Sequence, residues 1–182
     1  MRWYWIDRFI EFESGRYAKA VKNVSLAEEH VHDHFTNYPT HPNSLVLEGL
    51  AQTGGLLVCE HGHFVEKVIL AKVPKAKFYS EAVPGDTLTY TTTVEYIKQE
   101  GAMVSGTSYK GDELHAEVEI VFAHLNDPRM DALFDPETFL RMMRLLRAFD
   151  VGHAADGSPL KPPQRLLDLV GGEDSSAEGT EL

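Results

Sequence analysis

From Thr87 to Tyr96 the chain alternates: Leu88, Tyr90, Thr92, Val94 and Tyr96 fall on one face, and Thr87, Thr89, Thr91, Thr93 and Glu95 on the other. A sustained period of two predicts a long antiparallel strand with one face turned to a core. The period returns at Leu114, Ala116, Val118, Ile120 and Phe122, after the turn signal Lys110-Gly111-Asp112 and a more polar strand from Ala102 to Tyr109. A three-strand meander is expected there. Upstream, Ile6 to Phe12, Arg16 to Val24 and Val68 to Phe78 read as strands, the first two joined at Ser14-Gly15 and the last interrupted by Pro74. The expected sheet therefore has five or six strands.

One long apolar segment breaks this pattern. From about Ser44 to Glu60 the spacing is helical, with Pro42-Asn43-Ser44 as the start signal. The helix is apolar almost all round, so most of its surface must be buried, and an antiparallel sheet wrapped around it is the simplest solution. The fold class is then α+β, the hot-dog arrangement, for residues 1–125. Beyond Leu125 the strand period stops. Asp135-Pro136-Glu137 offers an N-cap, a proline at N1 and a first-turn acid for a second helix ending near Asp150. Phe139, Met142, Met143, Leu146 and Phe149 form its apolar face, with Arg141, Arg144 and Arg147 elsewhere. Residues 126–170 are thus expected to be a helical extension docked on the main domain. Residues 171–182, small, acidic and poor in apolar groups, read as a disordered tail.

Composition narrows the function. A formal net charge of -11 disfavours a nucleic-acid surface. No apolar run approaches the roughly 20 residues that span a bilayer, and the opening residues lack a long apolar signal segment. A soluble cytoplasmic protein is expected. The single cysteine, Cys59, forms no disulfide within the chain and reads as a buried small hydrophobe. Glycine-rich phosphate loops and Cys-x-x-Cys pairs are absent, so neither a nucleotide cofactor nor structural zinc has sequence support.

Glu48 is the most informative position in the chain, as a functional acid or as a carboxylate that bonds a buried donor. It lies inside Leu45-Val46-Leu47-Glu48-Gly49-Leu50-Ala51, where a carboxylate is costly to bury unless it is paired, protonated or functional. It sits too deep for a capping-box acid, which belongs at N3. Helical spacing stacks Ser44, Glu48, Gln52 and Gly55 into one polar line. Gly49, Gly54 and Gly55 each cost about 1 kcal/mol against alanine, which implies a close approach by sheet, helix or substrate. Upstream, His30, His32 and His34 share a face if the segment is extended. Such a face can hold a metal, or one imidazole can act as a general base, and spacing alone leaves both open.

His34-Phe35, Pro39, Pro42 and Leu45 through Gln52 together resemble the active-site signature of FabZ-type beta-hydroxyacyl-[acyl-carrier-protein] dehydratases. Ile6-Asp7-Arg8, Ala20 to Val24 and Lys75 through Asp86 fall where that family has similar segments, so the resemblance covers about residues 4–124. It implies that His34 removes a proton at C2 of a (3R)-hydroxyacyl thioester while Glu48 protonates the departing hydroxyl, giving a trans-2-enoyl thioester in fatty-acid biosynthesis. It also implies backbone donors at Asn43 and Ser44 for the enolate oxygen, Gln52 and Phe35 in support, and neither cofactor nor metal. The implied partners are acyl carrier protein and a second copy of the chain, with shared active sites in a homodimer and the trimer of dimers as a further assembly. Glutamate at position 48 places the chain nearer the FabZ branch than the isomerising FabA branch. Asp33, Thr36 and Asn43 depart from the glycine, proline and glycine usual there, and Val68-Ile69-Leu70 lacks the aromatic gate. Lys67, Lys72, Lys75, Lys77 and the three helix arginines read first as ordinary solvated charges, with local basic patches for an acidic carrier as the alternative. Two other readings remain: a hot-dog thioesterase whose helix acid activates water, and a non-catalytic subunit that binds acyl chains.

Overall fold

The computed structural model describes residues 4–125 and 135–174. Its strands are β1 (Arg8–Glu13), β2 (Tyr17–Asn23), β3 (Lys67–Phe78), β4 (Thr87–Lys98), β5 (Gly101–Lys110), β6 (Glu113–Leu125) and the two-residue β7 (Gly152–His153). They form one sheet in the order β3-β6-β5-β4-β2-β1-β7. The expected count of five or six is exceeded by β7, which pairs parallel with β1 through Phe12 and Gly152. All other pairings are antiparallel.

The central helix α2 (Asn43–His61) lies in the concave face, with Val46, Leu50 and Leu57 fully buried against Ala20, Leu88, Tyr90, Val104 and Ile120. This is the sheet-around-helix arrangement that the apolar run requires. Its glycines are explained by distance. A Cβ on Gly49 would lie 2.5 Å from the Tyr90 ring and 2.8 Å from the Trp5 carbonyl oxygen. One on Gly54 would lie 3.0 Å from Val104. The missing side chains let helix and sheet approach.

Two bulges redirect side chains that strict alternation misplaces. Between Val94 and Tyr96 the β4–β5 register shifts, and Tyr96, expected on the inner face, is exposed at 42%. Between Ser108 and Tyr109 the β5–β6 register shifts opposite His115, which turns inward to full burial and meets the Ser108 hydroxyl at 3.0 Å.

Three expectations about helices need correction. The histidine segment is not extended: it forms α1 (Glu29–Asp33), anchored by the fully buried Val31, whose carbonyl accepts from Thr40 N–H. The helix expected to end near Asp150 is broken. It comprises α3 (Pro136–Leu145) and α4 (Ala148–Val151), separated where Arg147 takes φ 62°. The start of α3 is as read, with Asp135 accepting from Thr138 N–H at 3.0 Å and proline behind it. Finally, α5 (Gln164–Asp174) carries helical backbone into the stretch read as a tail from Gly171, and residues 175–182 lie outside the described residues, as do 126–134.

Candidate active site

Glu48 is half-buried on the outward line of α2, one turn before Gln52. The Gln52 amide is oriented by its neighbours. Its Oε1 accepts from Trp5 N–H at 2.9 Å, so its Nε2 faces Glu48 and donates to Oε1 at 3.2 Å. The segment before β1 therefore fixes the amide that fixes the acid. Both side chains line a cavity of about 310 Å³ whose other walls are Tyr4, Ala51, Gly55, Leu56, Cys59, Val68, Leu70, Phe122, Phe139 and Met142. The lining is almost entirely apolar apart from the Glu48–Gln52 pair. Burial pushes the Cys59 thiol up to about 12, consistent with a small hydrophobe there.

His34 stands elsewhere. It is exposed at the C-terminal end of α1, its ring 4.3 Å from that of the half-exposed Phe35, and it is not among the residues lining the Glu48 cavity. Asn43 and Ser44 form the exposed first turn of α2. Their N–H groups precede the first intrahelical bond, which Leu45 N–H makes to the Pro42 carbonyl, and no side chain caps them. Asn43 sits within the helix rather than in a left-handed turn, so position 43 needs no glycine for conformational reasons. The positive φ falls instead at Asn37, within the loop that follows His34. One chain thus gathers Glu48 and Gln52, and leaves His34, Phe35, Asn43 and Ser44 on its surface.

Helical α1 removes the convergent face on which a three-histidine metal site depended. His30 turns inward, with Nε2 2.9 Å from His41 Nδ1. His32 pairs with Asp33 at 2.8 Å. Among the described residues no cluster of three metal-ligating side chains is placed to hold an ion. His41, which the sequence reading did not single out, is almost wholly buried beside Trp5 and next to the helix start. Burial, reinforced by His30, depresses it to about 4, and its Nε2 has no hydrogen-bond partner among the described residues. Tyr4, Phe139 and Met142 were also missed as site residues, because apolar side chains far apart in sequence leave no local signal of a shared wall.

A helix acid and its positioning amide at the polar end of an apolar cavity, inside a curled antiparallel sheet, define a hot-dog protein with an acid-bearing central helix. Within that class, the chain belongs to the FabA-like family, whose model matches residues 3–119. It is 35% identical over 119 residues to the 3-hydroxyacyl-[acyl-carrier-protein] dehydratase FabZ of Pelotomaculum thermopropionicum, covering 65% of this chain and 85% of that one. It is 37% identical to the FabZ of Symbiobacterium thermophilum, covering 65% and 84%. Similar solved structures share the fold at low identity. The dehydratase heterocomplex ApeI:P from Xenorhabdus doucetiae has a TM-score of 0.58 at 12% identity, over 70% of this chain and 87% of that one. Smu.793 from Streptococcus mutans, bound to acetyl CoA, has 0.57 at 13%, over 69% and 93%. Helix α3 and everything after it lie beyond the matched residues.

Proposed function

We propose that the protein dehydrates (3R)-hydroxyacyl-[acyl-carrier-protein] to the trans-2-enoyl thioester in fatty-acid biosynthesis, with Glu48 as general acid and His34 as general base. The observation that carries the proposal is Glu48 itself: an acid oriented by Gln52 at the polar end of an apolar cavity, on a helix within the family match. Neutral His34 takes the C2 proton, protonated Glu48 donates to the 3-hydroxyl, and water leaves. The first-turn N–H groups of Asn43 and Ser44 meet the negative charge that develops on the thioester oxygen. The acyl tail lies in the cavity, and the chemistry needs no cofactor.

His34 comes from a second copy of the chain. It is exposed and absent from the Glu48 cavity, and Phe35 and Tyr38 beside it are also exposed, which fits a loop that is covered by a partner. The open edge of β3 supplies a surface for pairing, with Val68 to Leu70 as its apolar half. Dimerisation is then a condition of catalysis, and no helix among the described residues is long and apolar enough to cross a membrane.

The test is product identity. Incubated with a 3-hydroxyacyl thioester, the protein should yield enoyl absorbance without free thiol. Thiol release without enoyl product would make it a thioesterase, and neither product would leave an acyl-binding subunit.

A further inference from the structure

We infer that α3 is the closed end of the acyl cavity, and that Phe139 and Met142 set the longest chain the site accepts; this rests on the acyl reading of the cavity given above. The cavity has a direction. Glu48 and Gln52 mark its polar end, whereas the Phe139 ring lies 5.6 Å from that of Phe64, whose N–H bonds the Cys59 carbonyl at 2.8 Å. Phe139 therefore sits beside the last turns of α2. At 1.5 Å rise per residue, Glu48 and Cys59 are about 16 Å apart along the helix. An extended hydrocarbon built from C–C bonds of about 1.5 Å advances roughly 1.3 Å per carbon, so the run holds about a dozen carbons.

The wall is held firmly enough to measure a chain. Leu140 and Met143, at i and i+3, are buried in the protein interior, and Phe139 and Met142, at the same spacing one residue earlier, line the cavity. The Asp135 cap fixes the start of the helix, and the Leu146 carbonyl past its end accepts from Phe9 N–H of β1 at 2.8 Å. None of these α3 residues falls within the family match, so this end of the cavity is built by a segment that the matched domain does not include. Phe139 and Met142 are only partly buried, so changing them alters the cavity without opening the interior filled by Leu140 and Met143.

The experiment compares the unaltered protein with Met142→Ala, Met142→Trp and, as a control on the exposed face of the same helix, Leu145→Ala. Each is given 3-hydroxyacyl thioesters of increasing chain length. Both kcat/KM for enoyl formation and the affinity for non-hydrolysable acyl-pantetheine thioethers are read, so a chain-length profile is obtained whether or not water is eliminated. Met142→Ala should raise the long-to-short ratio about tenfold or more, and Met142→Trp should lower it by as much, the range that one or a few methylenes command in an apolar pocket. Leu145→Ala should keep the wild-type ratio. Profiles that move with neither Met142 variant, or equally with Leu145→Ala, would overturn the inference. Absent enoyl product with shifting affinity profiles would sink the dehydratase reading and leave the wall standing.

Discussion

Glu48 is the residue whose place at the cavity was most legible, because a carboxylate in the middle of an apolar helix contradicts everything around it. Its partner in position, Gln52, lay on the same line, and only the structure shows how it is held, since Trp5 N–H is far away in sequence. His34 was separable from its neighbours only by family spacing. His41 escaped notice because burial, not sequence, makes it unusual. Removing either group of the proposed acid/base pair should be severe: Glu48→Gln and His34→Ala should each lower kcat by roughly 10²–10⁴-fold, with folding checked by circular dichroism. His41 supplies a pH signature. It is held neutral in the fold, about 4, below an unfolded value of roughly 6.5, so the unfolded chain binds more protons between those limits. Its contribution to stability is present above about pH 6.5 and is lost as pH falls toward 4. His30 and His115, both depressed chiefly by burial, act in the same direction; Glu60, raised by burial, acts in the opposite one. The thermal midpoint should therefore fall on acidification, and less steeply in His41→Met. Equal slopes in the two proteins would show that His41 is not the group responsible.

At the scale of elements, β2, β4, β5 and β6 were legible because they keep a period of two over most of their length, and the ends of the six expected strands fall within a few residues of expectation, whereas the two-residue β7 is too short to show a period. What the period missed were the bulges, where an extra residue exposes Tyr96 and buries His115. The histidine segment was open in the sequence, since three alternating histidines share a face only if extended, whereas one buried side chain, Val31, anchors a helix turn. Residues beyond Pro136 carried a clear start signal but no mark of the break at Arg147, whose left-handed backbone no glycine announces. The central helix offers the most direct test of its packing. Gly49→Ala would gain helix propensity of about 1 kcal/mol but drive a Cβ into the Tyr90 ring and the Trp5 carbonyl. The clash should win, with a net loss of about 1–3 kcal/mol in chemical denaturation. An unchanged or raised midpoint would mean that helix and sheet can part there at little cost.

For the whole molecule, the hot-dog architecture followed from one apolar helix and a set of amphipathic strands, but the cavity did not, because its walls come from the Tyr4 segment, α2, β3, β6 and α3 together. In the proposed mechanism the same dispersal extends between copies: with Glu48 lining the cavity and His34 exposed at the surface, the proposed pair is completed by a second chain. The β3 edge shows both an invitation and a restraint. Val68 to Leu70 can pair, while Pro74 and the exposed Lys72, Lys75 and Lys77 discourage unlimited edge-to-edge growth, so a closed dimer is the expected species in sedimentation. The most direct test mixes His34→Ala with Glu48→Gln after each has been shown to be inactive alone and able to exchange subunits. Half of randomly exchanged dimers carry one copy of each variant, and one of their two shared sites then has both native groups. Enoyl formation should recover to about a quarter of the wild-type rate; no recovery after demonstrated exchange would contradict a site built from His34 of one chain and Glu48 of the other.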